Sequence, residues 1–259
     1  MDLQLQGRHV LVTGGSRGIG LACAREFLRE GCRVSLAGRD PAHLDAACAA
    51  LGPDVRGFRA DLRDAAAALR LVDEVEAGHG PIDILVNSAG AARRTPYAEL
   101  EPQAWHDAME SKFFTYVHVM DPVVRRMGAR GAGSIVNVVG MGGKVASPTH
   151  LAGGAANAAL MLASAGLAAA WGPRGVRVNA VNPTLTLTDR LAEGLAADAR
   201  LRNVTPEEVR RQSEQKMPLG RLAQPEEIAA AVVFLASPRA SYISGAILSL
   251  DGAQTPMVV

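Results

Sequence analysis

The chain has few aromatic residues and no excess of either charge. Its five Phe, three Tyr and two Trp are too few and too scattered to form a platform for stacking nucleic-acid bases. The 27 basic and 26 acidic residues nearly cancel, whereas nucleic-acid and membrane surfaces require concentrated positive charge. The N-terminus lacks a basic region followed by a long apolar run. We therefore expect no signal peptide, no membrane span and a cytoplasmic protein.

Cysteine is also scarce. Cys23, Cys32 and Cys48 are odd in number, and their spacing matches no metal-binding motif. We expect thiols in a reducing compartment and no bound metal. The chain has 259 residues, 48% of them hydrophobic, which is close to the upper limit for one core. Since no linker or change of composition interrupts it, we expect a single domain over residues 1–259.

Short apolar segments alternate with longer segments of helical period. Strands are predicted over 8–13, 33–37, 55–60, 82–86, 134–139, 176–181 and 246–250. Helices are predicted over 18–29, 41–50, 65–77, 102–127, 151–171 and 225–236, with a less regular stretch over 184–218. Strands that are apolar throughout indicate a parallel sheet covered on both faces. The prediction is an α/β fold in which a doubly wound, seven-stranded parallel sheet forms the middle of three layers.

A glycine-rich segment follows the first strand. Gly14, Gly18 and Gly20 are placed where a strand meets a helix, which is the context of a dinucleotide-binding turn. Gly14 suits the tight turn, Gly18 lets the backbone approach a pyrophosphate, and Gly20 lets the helix pack closely on the sheet. A glycine turn without a ligand is the alternative. The motif predicts a Rossmann-type site at the carboxyl ends of the strands.

The choice between the two nicotinamide cofactors depends on the end of the second strand. An acidic residue there would bind a ribose 2′-hydroxyl, but the position is Gly38, followed by Arg39. Arg17 lies in the glycine segment, and guanidinium groups suit a 2′-phosphate. We therefore expect NADP(H) rather than NAD(H). The alternative is that both arginines are solvated, and Asp40 lies close enough to weaken the argument.

Together these features resemble the short-chain dehydrogenase/reductase family. Segments 13–20, 61–62, 87–90, 178–183 and 220–252 match its motifs in order along nearly the whole chain. The resemblance implies the following cofactor-binding residues: Gly14, Ser16, Arg17, Gly18, Ile19, Gly20, Arg39, Asp61, Leu62, Asn87, Ala89, Gly90, Asn157, Pro183, Thr186 and Thr188.

The catalytic positions depart from the family pattern. The family uses a Tyr as acid or base, a Lys that lowers the pKa of this Tyr, a Ser that orients the carbonyl and an Asn that anchors a water. In the same order, these positions are Gly153, Asn157, Gly140 and Lys112. Loss of a positioned acid removes a factor of roughly 10²–10⁴ in rate. The two glycines also suggest a void where a ring and a hydroxyl would stand.

The Asn and Lys of the family pattern are exchanged, which suggests a rearranged site. Lys112 and Asn157 would then still bring a positive charge to the nicotinamide end, unless Lys112 is a solvated or helix-interface lysine. His150 is a candidate for the missing acid because it titrates near neutrality and lies one helical turn before Gly153. A structural His150 is the alternative. Ser147, Thr149 and Lys144 are further candidates, whereas Tyr97 and Tyr116 are remote in sequence.

The resemblance also implies an assembly and a lid. The fourth and fifth predicted helices, 102–127 and 151–171, form homodimer or homotetramer interfaces in the family, although an Ala-rich helix buried in its own domain would have the same sequence. Residues 184–218 resemble the segment that covers the substrate.

Three functions remain open at this point. The first is an NADP(H)-dependent oxidoreductase acting on a small carbonyl or alcohol substrate with a non-standard proton relay. The second is a lyase or isomerase that uses His150 and Lys112 as acid and base. The third is a non-catalytic NADP-binding subunit.

Overall fold

A parallel sheet of seven strands runs through the middle of the molecule. The computed structural model describes residues 1–90 and 94–256. The strands are β1 (His9–Thr13), β2 (Arg33–Gly38), β3 (Val55–Arg59), β4 (Ile84–Asn87), β5 (Gly133–Val138), β6 (Val176–Pro183) and β7 (Ile247–Leu250). Their order is β3-β2-β1-β4-β5-β6-β7, and every pairing is parallel. The order reverses between β1 and β4, where a crevice opens at the carboxyl ends of the strands.

Helices cover both faces of this sheet. They are α1 (Gly18–Arg29), α2 (Pro41–Leu51), α3 (Ala65–His79), α4 (Pro102–Ala108), α5 (Thr115–Arg130), α6 (Leu151–Trp171), α7 (Asp189–Arg202), α8 (Pro206–Gln215) and α9 (Pro225–Ala236). Phe27 of α1 and Val232 of α9 belong to one apolar cluster, whereas Leu71 of α3, Met120 of α5 and Leu160 of α6 belong to another. The predicted three-layer Rossmann fold is confirmed.

The helix predicted over 102–127 is interrupted. A π-helical segment, Met109–Phe114, joins α4 to α5. Such a segment holds an extra residue in the turn and changes the direction of the side chains around it. Lys112 lies in this segment and is buried. Apolar periodicity did not reveal the interruption because it occupies little more than one turn.

The stretch predicted as less regular, 184–218, contains two helices. Thr188 caps α7 by accepting the N–H of Leu191, and Thr205 caps α8 by accepting the N–H of Glu208. Pro206 stands at the start of α8, where its missing N–H costs nothing. These capping signals were present in the sequence, but weak apolar periodicity hid them.

Helix α6 is apolar along most of its length. The 24 residues Leu151–Arg174, which include α6, have the length and hydropathy of a membrane span, with 39% of the tested window buried. A helix that packs on the sheet of its own domain passes the same test. Leu160 of α6 lies in the core, whereas Leu162 is 76% exposed. The helix thus has an apolar outer face as well as a buried one.

Candidate active site

The glycine segment forms the turn from β1 into α1. Arg17 is the residue before the helix, has an extended backbone (φ −152°) and makes no side-chain capping hydrogen bond. The first-turn amides of α1 therefore retain their capacity to donate to a ligand, and the helix dipole adds partial positive charge there. This arrangement fits the pyrophosphate of a dinucleotide.

A cleft of about 930 Å³ opens beside this turn, at the point where the strand order reverses. Predicted cofactor residues that line it are Gly14, Ser16, Arg17, Gly18, Ile19, Arg39, Asp61, Leu62, Ala89, Gly90 and Thr188. Gly38 and Ser88 line it as well, and so do residues that the sequence analysis did not single out, among them His43, Arg63, Ser111, Thr115, Asp189 and Arg190. Its volume and position fit an extended nucleotide.

Two arginines and a capping aspartate stand at the β2 end of the cleft. Arg17 and Arg39 both line it. The carboxylate of Asp40 accepts the N–H of His43, at 3.2 Å, and caps α2. This hydrogen bond, followed by the charges of His43 and Arg17, holds the pKa of Asp40 below its usual value. Asp40 is therefore engaged as a helix cap, which weakens the objection that it would bind a ribose hydroxyl.

The predicted adenine-side residue Asp61 is paired with an arginine. Arg63 Nε donates to Asp61 Oδ1 at 3.0 Å. This contact is the main reason that the pKa of Asp61 falls to about 2. The ion pair adds Arg63 to the cationic groups at this end of the cleft, a contribution that the sequence analysis missed.

Asn87 lies inside the sheet, where it is fully buried. It accepts from the Thr13 hydroxyl at 3.2 Å and donates to Asn137 Oδ1 at 3.0 Å. Asn137 in turn donates to Ser164 on α6 at 2.9 Å. This buried polar chain links β1, β4, β5 and α6, so Asn87 supports the floor of the cleft while Ser88, Ala89 and Gly90 form its surface.

Gly90 allows β4 to pass close beneath the π-helical segment. Its φ is +95°, and a Cβ on it would lie 2.2 Å from the carbonyl oxygen of Ser111. A side chain is thus excluded by both conformation and space. This close passage fixes Lys112, the next residue, against the carboxyl end of the sheet.

Lys112 is 9% exposed and points into the sheet. Its ammonium donates to the Tyr116 hydroxyl at 2.9 Å and to the Val138 carbonyl at 3.1 Å. The Tyr116 hydroxyl donates to the same carbonyl at 2.6 Å. Burial, followed by the charge of Arg190, lowers the pKa of Lys112 to about 7. Lys112 is therefore no solvated surface lysine, and it can exchange a proton near neutral pH.

The space expected to be void around Gly140 is partly filled. Gly140 has a φ of +127°, and its N–H donates to Asn182 Oδ1 at 3.3 Å. Asn157 Nδ2 lies 3.3 Å from the position that a Cβ on Gly140 would take. The amide of Asn157 thus occupies the neighbourhood of the absent serine, and Gly153 is buried within α6.

His150 and Asn157 come together at the end of β5. A Cβ on Gly142 would lie 2.9 Å from His150 Cδ2 and 3.5 Å from Asn157 Nδ2. Within the described chain, His150 Nδ1 and Asn157 Oδ1 are buried without a hydrogen-bond partner. Burial, followed by the charges of Arg94, Arg190 and Lys112, lowers the pKa of His150 to about 4. The imidazole of His150 is therefore neutral at pH 7.

The other candidate acids are less well placed. Lys144 is directed at β7, since its ammonium donates to the Ile247 carbonyl at 3.3 Å and to the Ser249 hydroxyl at 3.2 Å. Ser147 and Thr149 contact each other, with 3.4 Å between their hydroxyl oxygens. Tyr97 is 71% exposed. The hydroxyl of Tyr116 is committed to Lys112 and Val138.

Of the remaining predicted cofactor residues, Thr188 lines the cleft, whereas Gly20, Pro183 and Thr186 are not among its lining residues. Pro183 ends β6, and Thr186 is buried with its hydroxyl donating to the Thr184 carbonyl at 3.1 Å. Thr188 Cγ2 lies 3.3 Å from the position that a Cβ on Gly18 would take. The start of α7 therefore touches the glycine turn. Gly20 faces that turn from α1, since a Cβ there would lie 2.3 Å from the Gly14 carbonyl oxygen.

Arg94 and Arg190 are the main residues that sequence reasoning missed. Arg190 Nη1 donates to the Gly90 carbonyl at 3.2 Å. Arg94 acts on His150 through its charge. The Thr188 cap signalled that Arg190 stands in the first turn of a helix, but only the fold shows that this turn lies over the cleft.

The chain is similar to known proteins along nearly its whole length. Residues 14–255 match the family described as enoyl-(acyl carrier protein) reductase. The chain is 39% identical to D-threitol dehydrogenase of Mycolicibacterium smegmatis, covering 98% of this chain and 95% of that protein. It is 36% identical to gluconate 5-dehydrogenase of Gluconobacter oxydans, covering 97% and 96%.

Solved structures agree with these relatives. The L-sorbose reductase of Gluconobacter frateurii, in complex with NADPH and L-sorbose, superposes with a TM-score of 0.93 at 29% identity over 100% of both chains. The actinorhodin polyketide ketoreductase with NADPH gives a TM-score of 0.92 at 30% identity, over 96% of this chain and 97% of that one. The chain therefore belongs to the short-chain dehydrogenase/reductase family and is an oxidoreductase of that type.

Proposed function

We propose that this protein interconverts a secondary alcohol and a ketone on a small polyhydroxylated substrate, with NADP(H) as the hydride carrier. Relatives named for threitol, gluconate and galactitol support the substrate class. The observation that carries the proposal is the pair of buried polar atoms at the end of β5, His150 Nδ1 and Asn157 Oδ1, which have no partner within the described chain. Two hydroxyls of a polyhydroxylated substrate, each donating one hydrogen bond, would satisfy them.

The preference for NADP(H) rests on the cations around the β2 end of the cleft. Arg17 and Arg39 line it, and the carboxylate of Asp40 is engaged at the start of α2. A 2′-phosphate would meet two guanidinium groups, which bind phosphate oxygens through charge-assisted hydrogen bonds. Neighbouring structures in complex with NADPH support the same choice.

The proton relay differs from that of the family. When bound, the nicotinamide supplies the hydride acceptor for alcohol oxidation. Asn157 Oδ1 accepts the hydrogen bond of a neighbouring hydroxyl of the substrate and so orients the reacting carbon. His150 Nδ1 accepts the proton of the reacting hydroxyl as the carbon loses its hydride, and passes this proton to water. In ketone reduction, the imidazole of His150 returns a proton from water to the substrate oxygen.

Lys112 contributes positive charge near His150 and Asn157. Its ammonium is held by Tyr116 and Val138 at the end of β5, two residues before Gly140. A buried cation stabilises negative charge that develops on the substrate oxygen more strongly than a solvated one does. Because its pKa is about 7, this support weakens above neutral pH.

The same proposal covers the domain, the lid over the substrate and the assembly. Residues 1–259 form one domain, and the helices α7 and α8 within 184–218 act as a lid over the substrate. Homodimers or homotetramers assemble through the segments 102–127 and 151–171, in which Phe114 of the π-helical segment is 39% exposed and Leu162 of α6 is 76% exposed. Such exposed apolar groups favour burial against a second copy. A cytoplasmic location remains a prediction of the sequence.

The experiment is a turnover assay with purified protein. Absorbance of the reduced nicotinamide is followed with NADP⁺ or NAD⁺ and a panel of polyols and sugar acids, and with NADPH and ketoses in reverse. We expect turnover with NADP(H) and loss of at least tenfold in kcat for H150A and N157A. Tight cofactor binding without turnover on any member of either panel would favour the non-catalytic subunit. Product formed without change in the nicotinamide would favour the isomerase.

A further inference from the structure

The segment that follows β3 forms one wall of the cleft. Ala60, Asp61, Leu62 and Arg63 all line it. The N–H of Ala60 donates to the carbonyl of Gly38 at 3.0 Å, so the segment leaves the sheet directly beside the end of β2. The ribose that carries the 2′-phosphate of NADP(H) also carries the purine base. A dinucleotide bound with its 2′-phosphate at the end of β2 would therefore place its base against this wall.

The carboxylate of Asp61 is fully engaged by its neighbour Arg63. Oδ1 accepts the backbone N–H of Arg63 at 3.1 Å and the Nε–H at 3.0 Å. Oδ2 accepts the Nε–H at 3.1 Å and also an N–H of Nη2. A carboxylate offers about four lone-pair sites, so each oxygen already has two donors. Because the pKa of Asp61 is lowered to about 2, chiefly by this contact, the carboxylate stays ionised and paired near neutral pH.

The main-chain acceptors of the same wall are also engaged. The carbonyl of Asp61 accepts the N–H of Asp64 at 3.2 Å. The carbonyl of Leu62 accepts the Nδ1–H of His118, on α5, at 2.9 Å. The 6-amino group of adenine would need an acceptor at this wall. Each oxygen that Asp61 and Leu62 offer to it already has a donor.

Arg63 has the opposite hydrogen-bonding character. Its side-chain contacts with Asp61 use Nε and Nη2, which leaves Nη1 to donate to a ligand. The Arg63 side chain is 49% exposed, and the residue lines the cleft. Glu110 acts on the guanidinium through its charge, but it is not among the described residues that line the cleft. The wall thus presents an N–H donor where the family motif predicts a carboxylate acceptor.

We propose that this wall recognises the purine base through Arg63 and does not require the 6-amino group of adenine. Asp61 is then a positioning residue that holds the guanidinium. A purine with a carbonyl oxygen at C6, as in hypoxanthine, accepts an N–H of Arg63 and binds at least as tightly as adenine. This assignment rests on the proposed nicotinamide cofactor and extends it to dinucleotides that carry a 6-oxopurine.

The polarity of the hydrogen bond gives the direction of the effect. The 6-amino group of adenine donates, whereas the 6-oxo group of hypoxanthine accepts. A hydrogen bond to a charged group contributes enough free energy for a preference of about ten- to a hundredfold. A free Asp61 carboxylate would favour adenine by about this factor, because the oxo group would meet a negative charge. Since Arg63 engages the carboxylate, this preference should be absent.

The test compares NADPH with its 6-oxopurine analogue, reduced nicotinamide hypoxanthine dinucleotide phosphate. Calorimetric titration gives both dissociation constants for the wild type, R63M and R125M. Arg125 is the matched control, because it pairs with Asp121 through the same two nitrogens, Nε and Nη2, and does not line the cleft.

We expect wild type and R125M to bind the analogue as tightly as NADPH, within about threefold, or more tightly. In R63M the Asp61 carboxylate is free to accept the 6-amino group. NADPH should then bind about tenfold or more tightly than the analogue. R63A should give the same result as R63M, and both should fold, because the Arg63 side chain is half exposed.

Two results would overturn the proposal. One is a wild-type preference for NADPH over the analogue of more than about threefold, because the Asp61 carboxylate then accepts the amine despite Arg63. The other is a ratio in R63M and R63A that equals the wild-type ratio, because Arg63 then has no part in recognition of the base.

Titration with NADH and its own 6-oxopurine analogue separates this proposal from the proposed function. The base is common to both cofactors, so the ratio for NADH should also lie near one, even if the protein does not prefer NADP(H) or shows no turnover. Turnover with NADP(H) together with a tenfold wild-type preference for adenine would contradict only the role of Arg63. If none of the four nucleotides binds, both proposals are wrong.

Discussion

The ammonium of Lys112 donates to the hydroxyl of Tyr116, one helical turn further along, at 2.9 Å. Both groups also reach the carbonyl of Val138, so a helix residue and a strand are held together by a cation that is 9% exposed. Such a cation loses its hydration, and both oxygens to which it donates, those of Tyr116 and Val138, are neutral. Replacing Lys112 by an apolar residue should therefore raise the stability of the fold and lower the activity.

We predict that K112M stabilises the protein near pH 7. The pKa of Lys112 is about 7 in the folded state and 10.5 in the unfolded chain. Below pH 7 both states bind the proton, so the cost of burial is fully present. Between about 7 and 10.5 the unfolded state holds more protons, and the free energy of unfolding rises by up to about 1.4 kcal/mol per pH unit. Urea denaturation measures this slope.

The slope should vanish in K112M and persist in K216M, since Lys216 is exposed at the end of α8. If wild type and K112M show the same slope between pH 7 and pH 10, the buried ammonium is not its source. The same K112M variant should reduce ketones more slowly than wild type, because charge beneath the substrate oxygen is lost.

A second prediction concerns His150 as the base in alcohol oxidation. H150Q should lower kcat by a factor of roughly 10²–10⁴ and leave the dissociation constant of NADPH unchanged. Because the pKa of His150 is lowered to about 4, its neutral form persists on acidification. The wild-type rate of oxidation should therefore not fall between about pH 7 and about pH 5.5. T149V, altered one residue earlier, provides the matched control.

Steady-state kinetics across this pH range decides the assignment. If H150Q has the same kcat as the wild type, the imidazole of His150 has no chemical role. A fall in the oxidation rate between pH 7 and pH 6 would assign the base to another group.

A third prediction addresses cofactor choice. R39A should weaken NADPH binding about ten- to a hundredfold, because the 2′-phosphate loses a charge-assisted hydrogen bond. NADH lacks that phosphate and is the internal control, so its dissociation constant should change little. Fluorescence titration with both nucleotides measures the ratio. If R39A weakens the binding of both nucleotides equally, Arg39 supports the cleft but does not bind the 2′-phosphate.

A fourth prediction compares two glycines that share a left-handed backbone. Gly52 has a φ of +102° and nothing within 4 Å of a Cβ, whereas Gly90 has a φ of +95° and the Ser111 carbonyl oxygen at 2.2 Å. G52A should cost about 1–2 kcal/mol from the backbone alone. G90A should cost clearly more, because β4 must move away from the π-helical segment. Equal losses in thermal denaturation would show that this close passage does not bear on stability.

Local patterns predicted the sheet, most helices and the glycine turn, since apolar strands and capped helices depend on nearby residues. The π-helical segment was not predicted because a single extra residue in a turn barely alters apolar spacing. Arg94 and Arg190 were not predicted for another reason. Their positions depend on hydrogen bonds from Thr95 to Thr149 and from Arg190 to Gly90, which join parts of the chain far apart in sequence.

The contacts of Asn157 could not be predicted by matching family motifs to the sequence. Matching motifs identified the residue and suggested an exchange of roles with Lys112. The structure instead places the amide beside Gly140 and Gly142 and the ammonium beneath β5, against Tyr116. The two groups thus have different neighbours at the end of β5, while the exchange of their roles stays a prediction.

The φ of +127° at Gly140 has a consequence for any attempt to restore a serine at this position. A serine there would be strained, because such a backbone favours glycine. The backbone would have to turn first, and with it the N–H that meets Asn182. The single substitution G140S would therefore not install a well-placed hydroxyl, and several coordinated substitutions would be needed.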